Sequence, residues 1–169
     1  MQAVTESKYT FFWHGPLSNW APSPFSINGI EFNCGEQYMM FTKAALFEDL
    51  EMMAEIMSTT SPRLQKEYGR KVKEFNQDIW MSCCINLMVD GLYAKFTQHE
   101  LSRQALLATG NTEIVEASPV DAIWGVGLAA EDPRIQDKSQ WLGKNFLGIT
   151  LMKVRDKIMQ DMVDAQLSK

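Results

Sequence analysis

Gly35-Glu36-Gln37-Tyr38-Met39-Met40-Phe41-Thr42-Lys43 reads as the opening turns of a helix, and the rest of the chain is arranged around it. Seven steps lead from Glu36 to Lys43; at about 100° each they end about 20° short of two full rotations, so both side chains project from one face, about 10 Å apart along the axis. A small polar substrate fits between them. Tyr38, Phe41 and the two methionines make the surrounding surface apolar, a costly setting for a lone acid and a lone amine. Taken alone, the pair reads more simply as Glu36 favoured by the helix N-terminus and Lys43 snorkelling to water. What surrounds it shifts that balance.

Immediately upstream, Phe25-Ser26-Ile27 and Ile30-Glu31-Phe32 alternate apolar with polar around Asn28-Gly29, a hairpin signal that delivers the chain to Glu36. Before it, Tyr9-Thr10-Phe11-Phe12-Trp13 suits a short buried strand, and His14-Gly15-Pro16-Leu17-Ser18-Asn19-Trp20 a loop. Downstream, Asp49 to Met57 reads as a short methionine-rich helix, with methionine as core filler. Ser61-Pro62 opens a basic amphipathic helix to about Phe75. Asn76 or Asp78 caps a longer helix whose Trp80, Cys84, Leu87, Met88, Gly91, Leu92 and Phe96 recur at core spacing. Trp80 by itself suits packing better than chemistry. A further helix spans His99 to Thr109, stopped by Gly110.

After Gly110 the texture changes. Glu113-Ile114-Val115-Glu116 reads as a short strand, followed by Asp121-Ala122-Ile123-Trp124-Gly125-Val126-Gly127 and a polar, aperiodic stretch from Glu131 to Gln140. A loop of this length is usually functional. Leu147, Leu151, Met152, Val154, Ile158 and Met162 give a final helix a buried stripe to about Met162. Two glycine-bearing loops, Trp124-Gly125-Val126-Gly127 and Gly143-Lys144-Asn145, flank a helix N-terminus and offer a phosphate site. Two tight turns packing tryptophans would read the same way. The elements together predict one α+β domain dominated by helices, with a small antiparallel hairpin and short strands near the site, and a core from about residue 9 to 162.

The 169 residues are enough to bury about 70% of the surface the unfolded chain exposes. Hydrophobic residues make up 46% and charged residues 22%, ordinary for a globular domain. A net charge of −5 disfavours an extended nucleic-acid footprint. The one dense basic cluster, Arg63, Lys66, Arg70, Lys71 and Lys73, could grip a single phosphate, although a solvated helix face accounts for it more simply. Three cysteines, two of them adjacent, form neither a disulfide framework nor a CxxC site, which fits a reducing cytoplasm. The first residues show no basic segment followed by an apolar run, and nowhere do 18 apolar residues occur together, so secretion and membrane spanning are both disfavoured; the two histidines do not cluster as zinc ligands.

In order along the chain, four blocks resemble the NADAR domain, also called the YbiA-like family. They are Pro16-Leu17-Ser18-Asn19-Trp20 with Phe25 and Gly29; Gly35-Glu36-Gln37-Tyr38 with Lys43; Trp80 followed by Ala94-Lys95-Phe96; and Asp121 to Gly127 with Trp141 to Met152 and Arg155. The resemblance runs from about Phe11 to Ile158. It implies a YbiA-like fold and a cofactor-free, metal-independent N-glycosidase cleaving between ribose C1′ and a nitrogen. The implied substrates are ribosylamino-pyrimidine phosphates of riboflavin synthesis, or ADP-ribose on guanine in a nucleotide or in single-stranded DNA. By carry-over Glu36 and Lys43 are the chief catalytic candidates and Asp121 an alternative base or loop organiser. Asn19, Tyr38, Trp80, Trp124, Gly125, Gly127 and Asn145 would line the site, with Arg155 a phosphate partner. Four residues after Trp80, where relatives often carry a cation, this chain has Cys84, and an anion contact from there would be lost.

The chemistry of the residues agrees. Breaking an N-glycosidic bond develops positive charge on ribose, which a carboxylate such as Glu36 can stabilise while activating water. Two roles are open to Lys43: a cation holding phosphate or ribose oxygens, or a desolvated amine attacking C1′ to form a Schiff base, the role its apolar helix face favours. A module that binds ADP-ribose or NAD without turnover is the alternative from a different class, and a purely structural domain would show no ligand-induced stabilisation.

Overall fold

The Asn28-Gly29 turn forms as the sequence predicts, with both residues at positive φ, 52° and 79°. It joins β2 (Phe25–Ile27) to β3 (Ile30–Phe32) as an antiparallel pair in which Phe25 faces Phe32. Both rings are buried, and with Tyr38 they form an aromatic cluster under α1 (Gly35–Leu46). The computed structural model describes residues 7–169.

α2 (Leu50–Met57) is capped by Asp49, which accepts from Met52 N, and α3 (Pro62–Gly69) by Ser61, with Pro62 in its first turn. The sequence predicts that α3 runs on to about Phe75, but it stops at Gly69. Two contacts explain the stop. A Cβ at Gly69 would lie 1.9 Å from Met40 Sδ, so the end of α3 is pressed onto α1. The second oxygen of Asp49 takes Lys73 N–H at 2.8 Å, diverting the backbone from further helical bonds.

α4 (Gln77–Gln98), capped by Asn76, is the central helix and packs on α1 and α6 (Phe146–Leu167). Cys84, Met88, Leu92 and Phe96 are fully buried along it, and the same stripe carries Lys95. A Cβ at Gly91 would sit 2.1 Å from the Tyr38 ring, so glycine permits the close approach of α1. α5 (Glu100–Leu107) is followed by a turn to Gly110, at φ +57°. α6 runs beyond the expected end at Met162, and its last turns leave Met162, Val163 and Leu167 exposed.

β1 (Tyr9–Phe12) and β4 (Glu113–Glu116) pair in parallel, Tyr9 opposite Glu113 and Phe12 opposite Glu116. One face of this ribbon joins the main core through Phe12 and Ile114. The other covers a small second core of Tyr9, Val115, Ala117, Val126, Leu128 and Ile135. The polar stretch expected to be functional closes that second core. It forms two short 3-10 turns, Pro133–Gln136 and Lys138–Gln140, and Trp141 Nε1 donates to Ile135 O.

Candidate active site

The first turn of α1 is fixed from both sides. Gln37 donates to Ile56 O and Thr59 O and accepts from Asn33 N, while Gln65 of α3 donates to Asn33 Oδ1 and Thr59 O. Glu36 N donates to Asn19 O at 2.9 Å, and a Cβ at Gly35 would lie 2.6 Å from Asn19 Oδ1. The Ser18–Trp20 loop therefore lies directly against the helix N-terminus. Behind that loop Lys95, with no exposed surface, donates to Ser18 O at 3.0 Å. Burial pushes its amine down to about 8.

Glu36 points from this scaffold into a cavity of about 500 Å³ that also receives Asn19, Lys43, Trp80, Asp121 and Trp124. Six of the residues singled out in the sequence thus meet at one site. Trp20, Phe75, Lys66, Arg70 and Glu116 complete its walls. An adjoining chamber of about 340 Å³ shares Trp20, Lys66, Arg70, Glu116 and Asp121 and adds Trp13, His14 and Arg63.

Glu36 is 3% exposed, and among the described residues its Oε1 has no hydrogen-bond partner. Desolvation pushes its carboxyl up to about 7 against the pull of Lys66, with Asp121 adding to the rise. Lys43 is half-buried, with Nζ 4.2 Å from the centre of the Phe75 ring. Desolvation and then the neighbouring Arg70 guanidinium lower its amine below the ordinary lysine value, while Glu36 opposes them. Asp121 is engaged differently. Its Oδ1 accepts from Ile123 N at 2.9 Å and Trp124 N at 2.8 Å, and its Oδ2 lies 3.7 Å from Lys66 Nζ. It organises the loop that presents Trp124, whose ring meets Phe146 edge-on.

Tyr38, Gly125, Gly127, Asn145 and Arg155 lie away from the cavity. Tyr38 donates to Leu87 O beneath α1. Both ends of the Asn145 amide are used on β4, Nδ2 donating to Ile114 O and Oδ1 accepting from Glu116 N. Arg155 is buried and donates to Thr109 Oγ1 and Thr112 O. Gly125 packs against Asp121 O, Glu116 O and Ser118 Cβ, and Gly127 against Leu142. The phosphate site expected between the two glycine loops is closed, because Phe146 N and Leu147 N donate to Ile123 O and Trp124 O. Cys84 lies in the apolar core, and the cations of the cavity are Lys43, Lys66 and Arg70. The basic cluster thus divides: Lys66 and Arg70 face the cavity and Lys71 and Lys73 face solvent, paired with Glu67 and Glu51.

Sequence reasoning passed over Glu116 and Lys95 as site residues. Lys95 was detectable: three residues beyond Leu92 and seven beyond Met88, it falls on the buried stripe of its helix. Glu116 sits at the end of a strand whose Ile114 and Val115 are both buried, so alternation carries no sign of which way it points. Among the described residues no group of three or more His, Cys, Asp or Glu side chains is disposed to hold a metal ion.

A helix-dominated α+β domain with a buried acid and a half-buried amine in one aromatic-walled cavity is the class that fold and site define. The chain belongs to the NADAR domain family, which it matches over residues 10–159. It is 40% identical over 167 residues to the mimivirus protein named N-glycosidase R617, covering 90% of this chain and 98% of that one. The Escherichia coli protein named N-glycosidase YbiA is 32% identical, over 86% of this chain and 82% of its own. The NMR structure of E. coli YbiA superposes with a TM-score of 0.76 at 29% identity, covering 96% of this chain and 92% of that one. A Vibrio vulnificus protein named riboflavin biosynthesis protein VVA0006 is 26% identical over 87% of this chain, which spans 36% of that longer protein.

Proposed function

We propose that this protein is an N-glycosidase that hydrolyses the bond between ribose C1′ and a base nitrogen in an ADP-ribosyl or ribosylamino nucleotide. The observation that carries the reading is the buried Glu36 carboxyl, whose Oε1 has no hydrogen-bond partner among the described residues, in the same cavity as the desolvated Lys43 amine. In a water-poor cavity a carboxylate stabilises the cationic ribose far better than in solution. Lys43 supplies the second function. Burial and Arg70 disfavour its charge, so the amine gives up its proton more readily than an ordinary lysine, which favours attack on C1′.

Trp80, Trp124 and Trp20 offer faces on which a base can stack, and Asn19 an amide for ribose hydroxyls. Lys66 and Arg70 sit where phosphate oxygens would be drawn. The adjoining chamber favours a substrate longer than a nucleoside monophosphate, hence an ADP-ribosyl group on guanine, free or on a single strand, over the shorter ribosylamino-pyrimidine phosphate. A reducing cytoplasm suits the buried Cys34 and Cys84 thiols.

The test is base release from ADP-ribosylated guanosine and from the ribosylamino-pyrimidine phosphate, followed by mass spectrometry, for wild type, Glu36→Gln and Lys43→Ala. Wild type is expected to release guanine and both variants to lose turnover, with borohydride trapping an adduct at Lys43. If neither substrate is cleaved while ADP-ribose raises the melting temperature, the protein is a binding module instead. If cleavage proceeds without a trapped adduct, Lys43 acts as a fixed cation.

A further inference from the structure

We infer that Glu116 is a second catalytic carboxyl, the general acid that protonates the departing nitrogen, and that it shares a single proton with Glu36. The assignment rests on the glycosidase reading and adds the group that reading lacks, a donor for the leaving base. Glu116 lines both chambers and so stands at their junction, where the scissile bond of a substrate spanning them would lie.

Its placement is rigid. Asn145 Oδ1 holds Glu116 N at 3.0 Å, and Glu116 O accepts from Val126 N at 3.0 Å, so the end of β4 is clamped on both sides of the side chain. Yet among the described residues the buried Oε2 has no partner, like Oε1 of Glu36. Two buried carboxyl oxygens in one cavity, both unsatisfied, are an expensive arrangement that substrate would relieve.

The charges around the pair decide which carboxyl holds the proton. Asp121 accepts two backbone N–H groups and faces Lys66, so a third carboxyl stands beside the pair. Glu36 lies in the first turn of α1, where the helix favours an anion, and Lys66 and Arg70 pull it the same way. Glu116 has Lys66 against both Asp121 and Glu36. His14 borders its second chamber, and α4 brings only the uncharged Gln77, Trp80 and Met81. Burial pushes both carboxyls up to about 7, and the α1 N-terminus and Arg70, which act on Glu36 and not on Glu116, put the negative charge on Glu36 and leave the proton on Glu116. Burial, Asp121 and Glu36 push the Glu116 carboxyl up to about 7, which keeps a donor available near neutral pH.

The step balances. The C1′–N bond breaks with its electron pair passing to nitrogen, which takes the Glu116 proton. The group that bonds to C1′, the Lys43 amine or water, loses its proton to the Glu36 carboxylate. One proton is present on the pair before and after, now on Glu36, and exchange with solvent resets it. Where Lys43 is the group that bonded, water then adds at C1′, the C1′–Nζ bond breaks with its electron pair and a proton returning to the amine, and the free sugar leaves.

Two measurements test this. Titration of 13C-labelled glutamate carboxyls by NMR should find Glu116 well above the ordinary value of about 4.3 and moving down in Glu36→Gln, where its charged neighbour is gone. With substrate, Glu116→Gln should lose about 10²- to 10⁴-fold in turnover, keep its affinity for ADP-ribose, and lose the basic limb of the pH profile of kcat/KM. A Glu116 signal at its ordinary value, or one that ignores the loss of Glu36, overturns the shared proton. Wild-type turnover with an unchanged pH profile in Glu116→Gln overturns the acid assignment alone. No turnover by wild type overturns the glycosidase reading and the acid assignment with it.

Discussion

Replacing Glu36 by glutamine should make the protein more stable at alkaline pH even as it removes turnover. Burial raises the Glu36 carboxyl from 4.5 to about 7. At about 1.4 kcal/mol per pKa unit, ionising it inside the fold costs about 3 kcal/mol once the pH is well above 7. The sign follows from the direction. A carboxyl raised on folding contributes its stability in full below about 4.5 and loses it as pH climbs through about 7. Glutamine is never ionised, so the variant is spared that loss. Because Oε1 accepts no hydrogen bond among the described residues, the substitution breaks no contact there.

The expected result is near-equal melting temperatures at pH 5, where the wild-type carboxyl is protonated, and a variant melting about 6–12 °C higher at pH 8.5. That figure takes about 2–4 °C per kcal/mol for a domain of this size. Thermal melts at the two pH values, with urea titration at 25 °C as a check, decide it. Equal melting at pH 8.5, or a variant weakened at both pH values, would refute the account of Glu36 as a group held ionisable at the expense of the fold.

Three further substitutions probe the scaffold. Gly35→Ala places a methyl 2.6 Å from Asn19 Oδ1, so urea titration should show a loss of about 1–3 kcal/mol, accompanied by reduced turnover. Lys95→Met leaves Ser18 O, among the described residues, with the longer 3.3 Å bond from Ala21 N, so hydrogen exchange across Asn19–Ala21 should quicken. Because the Lys95 amine is lowered on folding to about 8, wild type should gain up to about 3 kcal/mol over that variant as pH rises from 7 to 10.5. Asn145→Ala removes both bonds to β4 and leaves a non-glycine residue without them at φ +55°; a loss of about 2–4 kcal/mol is expected in chemical denaturation.

Much of the local structure was legible because its determinants lie within a few residues. Asn28-Gly29 accepts positive φ, Asp49, Ser61 and Asn76 each bond the N–H three residues on, and Gly110 stops a turn. The ends that moved were set from a distance. The stop of α3 depends on Met40 and Asp49, twenty or more residues earlier in the chain. The parallel pairing of β1 with β4 joins strands about a hundred residues apart, and nothing local in Tyr9–Phe12 names its partner.

The site divides along the same line. Glu36 and Lys43 could be placed together because one helix carries both, and helical spacing is a local property. Which face of α3 turns inward is decided by its contact with α1, so Lys66 and Arg70 were indistinguishable in sequence from Lys71 and Lys73. Asn145 shows the converse error. The family resemblance implied that its amide lines the site, but a buried strand end needs its own donors and acceptors met, and β4 takes both halves of the amide. That demand is what aims Glu116. The residue that resembles a substrate contact in sequence is spent holding the backbone of one that does not, so loss of Asn145 should shift the Glu116 carboxyl signal as well as lower stability.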